Sequence, residues 1–383
     1  MRYSFRLAEL LGHVPDPRKR PGTIKSIVEY TGLDRHQVAA LLKNEVKYIP
    51  LKALSRLCDY LIEHGFASAD QLPGSLFAIE SENFWELLAR RRRLELCLGV
   101  RQTEQTDYPE GALLMASDSV LLGELLNGVS TLGGTKIHWR DGDIESESTS
   151  SIAPHPEHLK QALVWSPGQV SDAEVRSRAD QVYNEFGRST SDKALICLGS
   201  MKSNPVFELI LAGAFGDSPF AQNDISHALD RRCPIYLRYR NFDPCPPSCC
   251  GGLSLASGHE SETPGLYYET ASGKWKHCAW TEQDSDVALV FYIHRESQGW
   301  LEMALAGFSG RATRLLAKTL AARAEDFWPP IYSAQGVHVG AFVVQYTINP
   351  EDAKSHNILS TDLVANTNII RLDKETIERR LNT

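Results

Sequence analysis

Residues 23–64, TIKSIVEYTGLDRHQVAALLKNEVKYIPLKALSRLCDYLIEH, carry three apolar runs at helical spacing, with one glycine between the first two. The runs are Ile24, Ile27 and Val28, then Val38, Leu41 and Leu42, then Leu51, Leu54, Leu57 and Leu61. A period near 3.6 gives each run one apolar stripe, so the segment has to fold as helices packed on one another. The break at Thr31-Gly32-Leu33-Asp34 sets how the first two helices meet. Gly32 is suited to the left-handed backbone that ends a helix, and Asp34 is a good N-cap for the next. The pattern predicts a helix-turn-helix backed by a supporting helix that ends near residue 65.

The second helix puts polar side chains where a DNA groove would meet them. Arg35, His36 and Gln37 stand at its start, in position for base edges. Arg suits guanine and Gln suits adenine, each worth about 1–3 kcal/mol of discrimination. Lys43, Asn44 and Lys47 follow at its end, better placed for phosphates. Thr23 and Lys25 open the first helix and are candidates for a backbone contact. The competing reading is a small helical bundle used for protein contact.

Gly32 at the turn, Leu33 after it, Val38 and Leu41 in the second helix, and the stretch from Lys43 through Ile49-Pro50-Leu51 to Leu54, Leu57 and Cys58 share one pattern. On these positions residues 2–65 resemble the Cro and lambda-repressor (XRE-type) helix-turn-helix family. The resemblance implies DNA binding, and a dimer on two half-sites. Two positions depart from that family. Val28 stands where it usually has Ala, and Ile24 where it often has a phosphate-contacting Gln; Thr23 and Lys25 flank Ile24.

Charge supports a division of labour. The chain of 383 residues has a net charge of −8, which argues against a general nucleic-acid binder. Residues 1–66, however, hold 11 Lys/Arg and 7 Asp/Glu, a net of +4, and the remainder −12. A basic head on an acidic body fits docking to DNA at one end only. Arg18, Lys19 and Arg20, in a Pro-broken loop, are read as solvated. There is no run of about 18 apolar residues and no secretory-signal pattern, so the expected compartment is the cytoplasm. The eight cysteines are then expected to be reduced.

The expected organisation is a helix-turn-helix domain at 1–66, a linker helix within 67–93 capped by Ser81, and an α/β body at 94–383. Residues 2–12 read as a first helix. In the body, strand-like runs such as RLELCLGV and ALICLGS alternate with helical ones, and a hairpin at 286–308 makes the sheet mixed. A Rossmann-like α/β domain is expected, and it is also the expected dimer platform.

Two strand–turn–helix junctions offer the ingredients of an anion site. One is Gly199, Ser200, Lys202, Ser203 and Asn204; the other is Gly307, Ser309, Gly310, Arg311 and Thr313. Neither matches a phosphate-loop or dinucleotide fingerprint, and plain structural turns remain the alternative. The cofactor is left open, and the ligand expected there is small, anionic and nucleotide-like. No metal set is assigned: Cys245 and Cys249 have workable spacing, but the second pair, sought among Cys233, Cys250, His259, His277 and Cys278, is not clean. No catalytic motif is found. Glu208 and Asp118 are carboxylates that would act in the alternative reading, a nucleotide-processing enzyme or effector whose helix-turn-helix serves targeting or autoregulation. The Arg90–Arg93 run reads as a solvated helix end.

Overall fold

The computed structural model describes residues 2–11, 22–43, 45–67, 69, 72–73, 76–102, 111–133, 156, 158–188, 192–221, 231–255, 263–334, 336–348 and 366–381. The chain divides into two compact units, Met1–Glu82 with Arg295–Trp300, and Asn83–His294 with Leu301–Thr383. Arg18, Lys19, Arg20, Asn44 and His259 lie outside the described residues, as does the polar, acidic stretch at 138–151, which reads in sequence as a loop.

The first unit holds β1 (Arg2–Phe5), α1 (Leu7–Leu10), α2 (Thr23–Thr31), α3 (Arg35–Leu42), α4 (Leu51–Glu63) and β2 (Phe77–Glu80). Its core joins Ile27 of α2, Val38 and Leu41 of α3, and Leu57 and Leu61 of α4, with Leu33 from the turn. Apart from Leu33, these are positions that the apolar periodicity marks; Leu51, marked with them, is exposed. The expected helix over 2–12 is instead a strand followed by one helical turn. The reason is a distant partner: β1 pairs antiparallel with β2, Phe5 opposite Phe77, and the two rings meet edge to face at 5.3 Å. The same pairing extends the unit past residue 66, and the span expected as a linker helix holds β2.

The second unit opens with α5 (Phe84–Ala89), whose Asn83, not Ser81, caps it by accepting from Glu86 N at 2.9 Å. Its large sheet runs β13 (Tyr332–Ala334), β14 (Val337–Thr347), β11 (Ser285–Arg295), β12 (Trp300–Gly307), β6 (Lys193–Ser200), β3 (Arg93–Gln102), β4 (Ala112–Leu114). Off this path, β15 (Thr367–Arg371) pairs with β14 and β5 (His158–Trp165) with β3. β5 and β6 both run parallel to β3, whereas β4 is antiparallel to it and β13 and β15 to β14. The body is thus α/β with a mixed sheet, and the expected hairpin is β11–β12. A second sheet has the order β10 (Trp275–Ala279), β9 (Gly265–Glu269), β7 (Ile235–Arg238), β8 (Gly251–Gly252).

Alternation along the strands assigns the two faces of the large sheet. Leu94, Leu96 and Leu98 of β3, with Ala194, Ile196 and Leu198 of β6, join a core containing α5, α6 (Ala116–Thr131) and α9 (Gly310–Arg323). The opposite face carries α7 (Asp172–Gly187) and α8 (Val206–Phe215): Phe215 packs 5.7 Å from Phe291 of β11, and the Tyr183 hydroxyl donates to Glu302 of β12 at 2.5 Å. The chain therefore leaves β3 for one face and the adjacent parallel β6 for the other. Crevices form where connections part in this way at strand carboxyl ends. The last helix, α10 (Lys374–Arg380), anchors to the small sheet through Arg380, which donates to both Glu269 oxygens at 2.8 and 2.9 Å.

The Arg90–Arg93 run is not a solvated helix end. Arg91 is buried and donates to Asp192 at 2.6 Å, Arg90 pairs with Glu86 at 3.1 Å, and Arg93 pairs with Glu95.

Candidate nucleic-acid interface and ligand pocket

α2 ends because Gly32 adopts φ 75 and its N–H closes on Val28 O at 3.0 Å. α3 begins on a complete capping box. Asp34 Oδ1 accepts from Gln37 N at 2.8 Å, and Gln37 Oε1 accepts from Asp34 N at 3.1 Å. Buried Thr31 ties the corner, donating to Ile27 O at 2.6 Å and accepting from Leu33 N at 3.3 Å. The turn is therefore fixed by one positive φ and local side chain–backbone hydrogen bonds before apolar packing is counted.

α3 buries Val38 and Leu41 and turns another stripe outward: Arg35, Ala39 and Lys43 at four-residue steps, with His36 and Ala40 alongside. Arg35, His36 and Lys43 are exposed, while Ala39 and Ala40 keep the middle of this face low enough for close approach to a groove wall. Gln37 is half-buried, and its amide oxygen is engaged in the capping box, which leaves the N–H₂ as its donor for a base. Lys47 is exposed. Lys43 lies 3.7 Å from Glu45 and Lys25 3.7 Å from Glu29, both surface pairs of little energy. Thr23 is half-buried at the start of α2, and Ile24 packs against the core. The sequence reading passed over Tyr48, directly after Lys47, and placed Leu51 in the apolar stripe of the supporting helix; the two are 75% and 81% exposed. Two large apolar side chains beside exposed lysines are the signal that was available.

In the second unit the two candidate loops come together. Met201 N donates to Gly307 O at 3.1 Å, and Thr313 Oγ1 to Gly199 O at 3.3 Å. Most of their polar groups are engaged internally. Ser309 caps α9, accepting from Arg311 N and Ala312 N while donating to Asp286 at 2.5 Å. The Arg311 guanidinium bonds Asp286 and the carbonyls of Thr281, Glu282 and Ser285. Gly307 is required because a Cβ there would lie 2.3 Å from Thr313 N, and Gly310 sits beside Ser117. Ser200 O accepts from Ser203 and Asn204, and Asn204 donates to Cys97 O at 2.9 Å and Leu198 O at 3.2 Å. Lys202 Nζ is 2.7 Å from Asp243 and lies over the Phe308 ring at 4.3 Å. Burial pushes its ammonium down to about 8 against the pull of Asp243.

One pocket of about 420 Å³, open mouth included, adjoins the first loop. Lys202 and Asn204 form part of its wall, with Asp172 and Arg176 of α7, Pro205 just before α8, Glu208 of α8, and Ser248 of the Cys/Pro loop. The starts of two helices and two cationic side chains meet there, together with the carboxylates of Asp172 and Glu208. Residues 307–313 do not line it. Glu208 is buried and accepts from Cys249 N and Ser248 Oγ, each at 2.5 Å, Phe220 N at 3.1 Å and Cys250 Sγ at 3.0 Å, so it clamps the loop.

Asp118 lies elsewhere on the same sheet edge. It is 1% exposed in the first turn of α6, with Oδ1 accepting from Ser117 at 2.9 Å and Oδ2 without a partner among the described residues. It abuts Gly199 (φ 118), where any Cβ would lie 2.5 Å from Oδ2. Burial raises its carboxyl to about 6, opposed by the Ser117 bond and the Arg101 charge.

Residues 18–62 match the Cro/C1-type HTH DNA-binding domain family. Comparison with curated proteins and with solved structures gives no significant match. Among the described residues no helix is long and apolar enough to cross a membrane.

Proposed function

We propose that this chain, which carries a Cro/C1-type DNA-binding domain, is a sequence-specific transcriptional regulator whose α/β unit dimerises and senses a small anionic, nucleotide-like ligand. The observation that carries the reading is the outward face of α3. Arg35 and His36 meet base edges at its start, with Gln37 beside them, and Lys43 and Lys47 hold phosphates beyond its end. One such helix covers a half-site, so two copies are needed for a palindromic operator. Leu159 and Leu163 of β5, 58% and 41% exposed on a strand that pairs only with β3 among the described residues, supply the dimer edge. The parallel β5–β3–β6 core is the Rossmann-like part of the sheet, and the pocket beside Lys202 and Arg176 receives the ligand.

Fluorescence anisotropy of the purified chain against DNA from upstream of its own gene and against random DNA, at several salt concentrations, tests the regulator. A preference for the upstream DNA that survives salt is expected. Equal, salt-labile binding to both DNAs refutes operator reading. Light scattering of a Leu159→Lys/Leu163→Lys variant tests the dimer, and calorimetry with a nucleotide panel tests the sensor.

A second reading, a nucleotide-processing enzyme, is favoured by one observation, the Asp118 oxygen that has no partner among the described residues, on a carboxyl raised to about 6. Turnover that is abolished in Asp118→Asn would establish it.

A further inference from the structure

Beside the pocket, the start of α8 and the Cys/Pro loop converge on a cluster with no part in DNA reading. One carboxylate oxygen of Glu208 and the Sγ atoms of Cys249 and Cys250 all lie within 4.8 Å of one another. Cys250 Sγ is 3.0 Å from Glu208 Oε2. We infer that Glu208, Cys249 and Cys250 form a binding site for a zinc-class divalent cation. The inference does not rest on DNA binding or on anion sensing.

Three features of the cluster support it. The donor set is two thiols and one carboxylate, which suits a borderline-soft ion and not magnesium or calcium. The carboxylate is already oriented: Phe220 N, Cys249 N and Ser248 Oγ donate to it, and these bonds can persist when a cation replaces the Cys250 thiol proton. Outer-shell donors of this kind hold metal ligands in place. The loop is also stiff, because Pro246 and Pro247 directly precede Ser248 and fix two φ angles before the ligands. Without a cation, the spot confines two thiols and a carboxylate largely away from water, which is costly unless the thiols stay protonated. Binding M²⁺ would release the two thiol protons to solvent and leave a centre of net charge −1. Glu208 and Ser248 also line the pocket, so the ion would sit in its wall.

The spacing reading in the sequence paired Cys245 with Cys249. Cys245 is exposed and is not among the clustered ligands, so it serves as the control. The full chain, purified under reducing conditions without chelator and loaded with Zn²⁺ or Co²⁺, should hold one equivalent by mass spectrometry of the metal. The Co²⁺ form should show thiolate charge-transfer absorption and tetrahedral visible bands. Cys245→Ser should behave like the parent. Cys249→Ser/Cys250→Ser should lose the metal and the spectrum, and Ser248→Ala should bind Zn²⁺ about 10–100-fold more weakly. The inference is overturned by a parent chain that takes up no stoichiometric metal and gives no Co²⁺–thiolate band. It is equally overturned by retention of metal in the double variant, or by a Cys249–Cys250 disulfide in place of metal. The parent's Co²⁺ spectrum decides the matter even where the double variant does not fold.

Discussion

Removing Lys43 and Lys47 together should change the salt dependence of DNA binding more than it changes the protein. Both side chains are exposed, and the one ion pair given up, Lys43–Glu45 at 3.7 Å, is a surface pair of roughly 0–1 kcal/mol. The Lys43→Ala/Lys47→Ala variant should therefore unfold close to the parent. Each phosphate that a lysine no longer neutralises lowers the slope of log K against log salt by about 0.9, or about 1.8 per domain. Between 50 and 200 mM salt the parent's affinity should then fall about 12-fold further than the variant's for one domain, and about 150-fold further for a dimer docking two. Arg35→Ala should act differently, costing about 1–3 kcal/mol at one operator position and little on random DNA. Anisotropy titrations at four salt concentrations on operator and random DNA separate the two effects. An unchanged slope in the double lysine variant would refute the phosphate assignment. An equal weakening on both DNAs for Arg35→Ala would refute base reading.

Three further outcomes follow from the geometry. Asp34→Ala removes the capping box of α3 and should destabilise the first unit by about 1 kcal/mol in urea unfolding, with Asp34→Asn largely retaining stability. Gly32→Ala should cost about 1–2 kcal/mol by the same assay, since φ 75 disfavours any Cβ while the space itself is open, with Arg56 no closer than 3.5 Å; Asn at this position should recover much of the stability. Asp118→Asn should remove a pH dependence. The folded carboxyl is raised from 3.8 to about 6, so its contribution is fully present below pH about 4 and disappears as pH rises to about 6, roughly 3 kcal/mol in all. The difference in unfolding free energy between parent and variant should grow across that window and level off above it; a flat difference would show that burial does not hold the proton.

The helix-turn-helix was legible because its determinants are local. Gly32, Asp34 and Gln37 act within a few residues of one another, and the apolar stripe repeats within single helices. β1 was not legible, because RYSF becomes a strand only by pairing with residues 77–80, and nothing inside RYSFRLAELLG announces that partner. β9 and β10 of the small sheet were missed for the same reason, since Tyr267 and Tyr268 face His277 and Lys276 across a pairing that mixes aromatic and charged side chains and shows no clean alternation. The two Gly/Ser loops were found, but the use of their side chains was not. Arg311 looked like an anion ligand in sequence, yet Asp286 on β11, 25 residues away, holds it together with three carbonyls. A motif shows which groups a loop can offer; only tertiary neighbours decide which of them are already engaged.

That distinction bears on how the pocket would respond to a ligand. Lys202 is the cation that the sequence placed there, and it is held by Asp243, which also binds Arg240 through both oxygens. An incoming anion would have to compete with Asp243 for Lys202, and its success would break a bond that ties the Lys202 loop to the loop carrying Asp243. The latter continues through Pro246 and Pro247 to the ligands of the inferred metal site. Glu208 joins both ends of this arrangement, since it lines the pocket and clamps residues 248–250. Anion binding and metal binding are therefore expected to be coupled through one loop, and by linkage the coupling must be reciprocal.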